Sequence, residues 1–110
     1  MKIIRPSEVI FADDAGEKAF DALEKGNELR KYLERAIKDI QQNAFCGIQL
    51  PKRLFPQEYV KEHKLTNLWK YDLPDGWRVV YTITTPSKVE VIAIILEWLS
   101  HKEYERRFKY

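Results

Sequence analysis

The side chains that could do chemistry in this sequence are cationic and aromatic. Lys70 and Arg78 lie on the two arms of an expected β-hairpin, and a turn at residues 74–76 would place them nearly opposite each other. Both are expected to point away from the face that carries the large aromatic side chains. Taken alone, the pair is best interpreted as a charged surface with nearby carboxylate partners. The candidate partners are Asp72, Glu90 and Glu97.

A second group of such residues occupies the segment 101–110, which combines a histidine, two tyrosines and four basic residues. By itself this segment is typical of a solvated terminal helix in which Tyr104 and Phe108 pack against the domain.

The basic residues are unevenly distributed between the two halves of the chain. Residues 51–110 carry eleven basic and eight acidic side chains, whereas residues 1–50 carry eight and nine. An anionic partner should therefore meet the second half of the chain.

Several kinds of catalytic site are absent from the sequence. It contains no phosphate-binding glycine loop, no dinucleotide-binding glycine fingerprint and no paired-histidine zinc motif. With one cysteine and two histidines, a structural zinc site is not expected, and no cofactor is predicted. Cys46 lies between apolar neighbours and is predicted to be a small buried hydrophobic residue. The carboxylate pairs Asp13–Asp14 and Asp72–Asp75 are best explained as a helix cap and a hairpin turn.

The elements that must position these residues begin with a short strand at Val9–Phe11. Asp13 and Asp14 offer a cap for a first helix that should end at Gly26. Asn27 can cap a second helix, in which apolar residues recur with a 3.6-residue period as far as Ile40. We expect these two helices to form an antiparallel hairpin. Further along the chain, Pro56 suits the start of a short helix over residues 57–63.

Beyond residue 68 the hydrophobic period changes to two, which predicts strands at 69–73 and 77–83 and then an apolar central strand at 89–96. Ser100 and Glu103 form a capping box for a short final helix. The order β-α-α-β-β-β predicts an α+β fold, with two N-terminal helices packed on a twisted antiparallel sheet of about four strands. Four large aromatics should lie in its core. They are Trp69, Tyr71, Trp77 and Tyr81. If they were exposed instead, a generic RNA-binding sheet would be the weaker alternative.

The length of 110 residues predicts a single domain over residues 1–110. No apolar run near the first residue has the length of a signal peptide, and the longest run, Val91–Leu96, is far too short to cross a bilayer. Together with the lone thiol, this favours a cytoplasmic protein without a membrane partner.

The second half of the chain contains four informative stretches: Leu68-Trp69-Lys70-Tyr71-Asp72-Leu73, Pro74–Ile83 with its Gly76-Trp77-Arg78-Val79-Val80-Tyr81 run, Val89–Leu96 and His101-Lys102-Glu103-Tyr104. Together they resemble the RelE/ParE superfamily of type II toxin–antitoxin toxins. The likeness is specific over residues 68–104 and weaker over the helical pair, and residues 51–67 look like an inserted prolyl-basic loop. The resemblance implies a RelE-like fold and a ribosome-dependent messenger RNA interferase that needs no metal. In that reaction a ribose 2′-OH attacks the adjacent phosphate and leaves a cyclic phosphate.

The resemblance also implies roles for individual residues. Arg78 would hold the scissile phosphate, and Lys70 would stabilise or relay charge. His101, Lys102 and Tyr104 would form the C-terminal catalytic patch, with His101 or Tyr104 as the acid or base, or with Tyr104 stacked on a base. Asp72 stands where the family has a second lysine, so it either weakens phosphate binding or supplies a base.

The implied partners are messenger RNA, the ribosome and a cognate antitoxin protein. The expected contacts to RNA backbone are Lys52, Arg53, Arg106 and Arg107. The antitoxin is expected in an apolar groove along Leu29–Ile40 or beside the final helix. The alternative is a toxin-fold protein without nuclease activity, either an inhibitor of gyrase or a retired toxin that only binds its antitoxin.

Overall fold

A mixed β-sheet with helices on both faces is formed by residues 5–108, which are the residues that the computed structural model describes. Met1–Ile4, Lys109 and Tyr110, which the expectations above include, lie outside them. The elements in chain order are β1 (Glu8–Phe11), α1 (Asp14–Asp21), α2 (Glu28–Gln42), β2 (Ile48–Gln49), α3 (Gln57–His63), β3 (Trp69–Asp72), β4 (Arg78–Thr84), β5 (Ile92–Leu99) and α4 (His101–Phe108), with 3₁₀ turns at Lys52–Leu54 and Pro74–Gly76.

The predicted α+β fold is confirmed, but the sheet differs in two respects from the expected one. It has five strands in the order β1-β5-β4-β3-β2. The strand β1 runs parallel to β5, so the expectation of an antiparallel sheet is wrong for this pair. A parallel neighbour is possible because the long intervening chain, including α1 and α2, makes the crossover. The second difference is β2, whose two residues are too short to show a period of two.

The last strand begins three residues later than predicted. Val89 is 87% exposed and lies before β5, because the apolar run extends into the preceding turn. The Ser87 hydroxyl accepts hydrogen bonds from the backbone N–H groups of Val89 and Glu90 and so holds that turn. Within β5 a bulge leaves Leu96 without a directly opposite partner on β4. The bulge changes which side chains face each side of the sheet.

Local capping explains where the two N-terminal helices start. The Asp13 carboxylate accepts a hydrogen bond from the Gly16 N–H, and the Asn27 side chain accepts one from the Leu29 N–H, each at 2.8 Å. The first helix ends at Asp21 rather than at Gly26. The guanidinium of Arg30 on α2 lies 4.9 Å from the ring of Phe20 on α1, which joins the two helices.

Two hydrophobic clusters lie on opposite faces of the sheet. The first packs α2 against β4 and β5, and its buried members include Ile40, Tyr81 and Ile95. The second lies beneath α3 and α4 and consists of Leu50, Tyr59, Leu68, Val80, Leu99, Tyr104 and Phe108. Tyr81 is fully buried, and the rings of Trp69, Tyr71 and Trp77 pack against the first cluster. The aromatic core is confirmed, and the alternative that needed all four rings exposed is wrong.

The segment after α2 passes very close to Tyr81. A Cβ atom at Gly47 would lie 2.5 Å from the Lys70 carbonyl oxygen and 2.6 Å from the Tyr81 hydroxyl, so only glycine fits there. The Tyr81 hydroxyl donates to the Ala44 carbonyl at 2.9 Å and accepts from the Gly47 N–H at 3.1 Å. Cys46 is exposed, so the prediction that it is a buried residue is wrong. Partial burial of its sulfur still raises the pKa of the Cys46 thiol.

The described part of the chain contains no helix with the length and apolar character needed to span a bilayer.

Candidate functional site

Four of the five residues expected to be catalytic meet on the second face of the sheet, beside the turn between β3 and β4. The Arg78 Nη1 atom lies 3.4 Å from His101 Nδ1. The Arg78 Cζ atom lies 4.5 Å, and the Lys70 Nζ atom 5.8 Å, from the centre of the Tyr104 ring. Residues from β3, β4 and α4 thus share one location, which a single reacting centre requires. We call Lys70, Asp72, Arg78, His101 and Tyr104 the Arg78 cluster.

Tyr104 is the platform of this cluster. Its side chain is 1% exposed, and its ring stacks on Phe108 with the ring centres 4.4 Å apart. The two cations lie over the Tyr104 ring, where its π electrons attract them. A buried ring has no face free for a nucleobase, so the suggestion that Tyr104 stacks on a base is wrong. Its ring instead positions Arg78 and Lys70.

Asp72 shares its carboxylate between the two cations. The Lys70 Nζ atom lies 2.9 and 3.1 Å from the two oxygens, and the Arg78 Nε atom lies 3.6 Å from Oδ1. The register explains this pairing. Asp72 is directly opposite Arg78, whereas Lys70 is opposite Val80. Lys70 and Arg78 are therefore diagonal neighbours on one face, two register positions from the nearly opposite arrangement that was expected. Half of the Asp72 side chain is exposed, which leaves the shared carboxylate open to solvent.

The hairpin turn brings His101 next to Arg78. Asp75 and Gly76 both have positive φ, which is the geometry of a type I′ turn and is favoured by an Asp-Gly pair. The Arg78 Nη1 atom donates to the Gly76 carbonyl at 2.7 Å. A Cβ atom at Gly76 would lie 3.0 Å from the Cβ of His101, so this glycine serves both the turn and the approach of α4.

The start of α4 is held by the predicted capping box. The Ser100 N–H donates to the Glu103 carboxylate at 3.0 Å, and the Glu103 N–H donates to the Ser100 hydroxyl at 3.3 Å. The hydrogen bonds from Ser100 hold the pKa of Glu103 below its ordinary value. Because His101 is the first residue of this helix, the capping box also sets the position of the imidazole.

The remaining predicted site residues lie elsewhere on the surface. Lys102 is exposed on α4, Lys52 and Arg53 are exposed in the 3₁₀ turn, and Arg106 is exposed in the last turn of α4. Their contacts to RNA stay predictions.

A groove of approximately 380 Å³ borders α2, in the region where we expected the antitoxin to bind. It is lined by Lys31, Tyr32, Arg35, Tyr71, Asp72, Leu73 and Pro74.

Arg107 is engaged by carboxylates rather than free for phosphate. Its Nη2 atom lies 3.1 Å from Glu97 Oε1, and its Nη1 atom lies 3.4 Å from Glu58 Oε2. The Tyr59 hydroxyl donates to the other oxygen of Glu97. We call these four residues the Arg107 cluster. Their pairing argues against the expected role of Arg107 as a contact to RNA backbone.

One residue beside the site was missed from the sequence. Glu105 Oε1 lies 2.6 Å from His101 Nε2. The signal was present, because residues four apart on a helix are neighbours on its surface. Among residues 5–108, no group of three or more His, Cys, Asp or Glu side chains is placed to hold a metal ion.

No protein-family model, no curated protein and no solved structure matches this chain.

Proposed function

We propose that this chain is a RelE-like toxin of a type II toxin–antitoxin system, an endoribonuclease that cuts messenger RNA on the ribosome and so inhibits translation in the cytoplasm. One observation carries the proposal. Arg78, Lys70 and His101 converge around the ring of Tyr104. Two cations that share one carboxylate, with an imidazole beside one of them, supply the charge stabilisation and the acid–base group that suit transesterification at an RNA phosphate.

In the proposed reaction the scissile phosphate binds beside Asp72, where the two cations lie. Arg78 and Lys70 hold its oxygens and stabilise the negative charge that grows when the phosphorus becomes five-coordinate. The ribose 2′-oxygen forms a bond to phosphorus while its proton passes to a base. The bond from phosphorus to the 5′-oxygen breaks, and that oxygen takes up a proton. His101 is the exposed acid–base group of the cluster, whereas Tyr104 is buried and acts as a positioning residue.

The other predicted contacts lie outside the Arg78 cluster and would meet the RNA beyond the scissile phosphate. Lys102 is exposed next to His101 and would face the phosphate next to the scissile one. Lys52, Arg53 and Arg106 are exposed cations that would contact the backbone of messenger or ribosomal RNA without reading its sequence. The groove beside α2 would receive a segment of the antitoxin. Because it includes Asp72, an occupant there would also reach the edge of the Arg78 cluster.

The proposal is tested by cell-free translation with the purified protein, followed by primer extension on the message. The wild-type chain should produce discrete cuts at codons occupied by the ribosome. Arg78→Ala should weaken these cuts by ~10²-fold or more, since one lost charge-stabilising donor costs about that much. Lys18→Ala, an exposed change on α1, is the matched control and should cut normally. If messages stay intact in this assay with the folded wild-type chain, the proposal of a ribonuclease is overturned.

A second function is favoured by one observation, the carboxylate of Asp72 between the two cations. A site already occupied by its own carboxylate suits a toxin-fold protein without nuclease activity. Intact messages accompanied by DNA damage in arrested cells would support the inhibitor of gyrase. No effect on growth would support a retired toxin that binds only its antitoxin.

A further inference from the structure

The imidazole of His101 is held between two groups with opposite hydrogen-bonding requirements. Its Nδ1 atom lies 3.4 Å from Arg78 Nη1, and its Nε2 atom lies 2.6 Å from Glu105 Oε1. A guanidinium can only donate hydrogen bonds, and an ionised carboxylate can only accept them. The nitrogen that faces Arg78 must therefore carry the lone pair, and the nitrogen that faces Glu105 must carry the proton.

From this arrangement we infer that Nδ1 of His101 is the base of the proposed ribonuclease and that Glu105 is the positioning residue that fixes the reactive tautomer. The inference rests on the proposed function, because only an RNA substrate gives Nδ1 a proton to remove. Both contacts select one neutral form of the ring, with hydrogen on Nε2. The lone pair of Nδ1 then lies on the side of Arg78, which is the side where the phosphate binds.

The proton balance of the step follows from this tautomer. Nδ1 has a single lone pair, so the guanidinium of Arg78 first turns from Nδ1 to the bound phosphate and the 2′-OH takes its place as donor. The 2′-OH proton then passes to Nδ1 as the oxygen bonds to phosphorus, and the ring becomes a cation. The carboxylate of Glu105 accepts a hydrogen bond from the Nε2–H and so stabilises that cation, as a carboxylate does for a catalytic histidine in a triad. The bond to the 5′-oxygen breaks, and the leaving oxygen takes a proton from water.

The tautomer is tested by ¹⁵N NMR of the free protein at a pH above the titration of its imidazoles. The chain has two histidines, so His63 gives an internal reference in every spectrum. In the wild-type chain the His101 ring should show hydrogen on Nε2 alone. Glu105→Ala should move its nitrogen shifts toward a mixture of both tautomers, and Glu105→Gln should restore much of the wild-type pattern because its amide oxygen accepts the same hydrogen bond. The exposed change Glu24→Ala should alter nothing.

The kinetic arm uses single-turnover cleavage of a ribosome-bound message. Because His101 and Glu105 are each at least half exposed, water screens their contact. Glu105→Ala should therefore slow cleavage by about tenfold, less than the full contribution of a general base, with unchanged RNA affinity. Glu105→Gln should recover part of the rate. Circular dichroism would confirm that both variants keep α4.

The outcomes of the two arms are separable. Hydrogen on Nδ1 in the wild-type chain would overturn the assigned tautomer, whereas nitrogen shifts that Glu105→Ala leaves unmoved would overturn the claim that Glu105 fixes it. A Glu105→Ala variant that cleaves at the wild-type rate, while Arg78→Ala does not, would overturn the role of Glu105 and leave the ribonuclease intact. No cleavage by the wild-type chain would overturn the proposed function and the role of Nδ1 with it, whatever the NMR shows.

Discussion

Arg78 and Arg107 each lie over a tyrosine ring of the same buried cluster, but their charges have different partners. The Arg107 Cζ atom is 5.8 Å from the centre of the Tyr59 ring, and its nitrogens reach two carboxylates. The Arg78 Cζ atom is 4.5 Å from the centre of the Tyr104 ring. Its nitrogens reach a backbone carbonyl, an imidazole and, at 3.6 Å, a carboxylate that it shares with a lysine.

The difference lies in the ratio of cations to carboxylates. The Arg107 cluster has one cation for two carboxylates, so the charge of its arginine is balanced within the fold. The Arg78 cluster has two cations for the one carboxylate that pairs with them, so a further anion can be accommodated there. An arginine on an aromatic platform can therefore serve structure or binding. The neighbouring carboxylates decide which.

The largest effect is expected from removing the platforms themselves. Tyr59 and Tyr104 are 3% and 1% exposed, and both contact the second hydrophobic cluster. Tyr59→Ala and Tyr104→Ala should each lower the free energy of unfolding by about 3–5 kcal/mol, the cost of deleting a buried aromatic side chain. Urea unfolding followed by tryptophan fluorescence measures this. A loss below about 1 kcal/mol at either site would show that its ring is not a structural platform.

The arginines should then separate stability from binding. Arg107→Ala leaves the partly buried Glu97 without its cation and should lower the free energy of unfolding by about 1–3 kcal/mol. Arg78→Ala should lower the free energy of unfolding by less, because Lys70 still pairs with Asp72.

The affinity for single-stranded RNA should show the opposite order, with the larger effect in Arg78→Ala. Arg78→Ala should reduce the slope of log affinity against log salt by about 0.7, the value for one lost phosphate contact. Equal changes in slope for both variants would remove the distinction between the clusters.

A smaller effect is expected at the turn that supports only the Arg78 cluster. Gly76 has a φ of +78°, and Gly76→Ala should cost about 1–2 kcal/mol because a Cβ is strained in that conformation. Gly26→Ala is the matched control. A Cβ there meets nothing within 4 Å, so its stability should not fall. Thermal unfolding of both variants makes the comparison. Equal melting temperatures would contradict the strain at Gly76.

The smallest change should appear in alkaline solution. Burial and the hydrogen bond to Glu97 raise the pKa of Tyr59 above its ordinary value. A raised pKa means that the folded protein favours the protonated phenol. The resulting stability is present below pH 10 and is lost as the pH rises further. Urea unfolding between pH 8 and about 12 should show this loss, and Tyr59→Phe should reduce it. An identical pH dependence in that variant would assign the loss to another group.

The same experiment has a second tyrosine to account for. Burial and the hydrogen bond to Asp39 raise the pKa of Tyr71 to about 12. Its contribution is likewise complete below pH 10 and disappears as the pH approaches that value. Tyr71→Phe therefore serves as the companion variant. The double variant should show the weakest alkaline dependence of the series.

Local sequence signals predicted the elements of this fold well. The caps at Asp13 and Asn27, the Asp-Gly turn and the capping box at Ser100 all act over a few residues, so they are readable from the chain alone. The parallel pairing of β1 with β5 has no such signal, because it joins distant segments. The same limit applies to the site. The hairpin predicted that Lys70 and Arg78 are near each other, but the ion pairs of Arg107 depend on how α3 meets α4.

The pairing of the first strand with the last has a consequence for the timing of folding. Glu8 is paired with Ile92, so 84 positions separate partners that lie side by side in the sheet. Closing so long a loop is slow, and a growing chain cannot complete its sheet until β5 has left the ribosome. The cluster that would cut RNA needs residues as far along as Glu105. A chain with this topology therefore acquires its proposed activity only after the ribosome that makes it has passed the codons for the whole site.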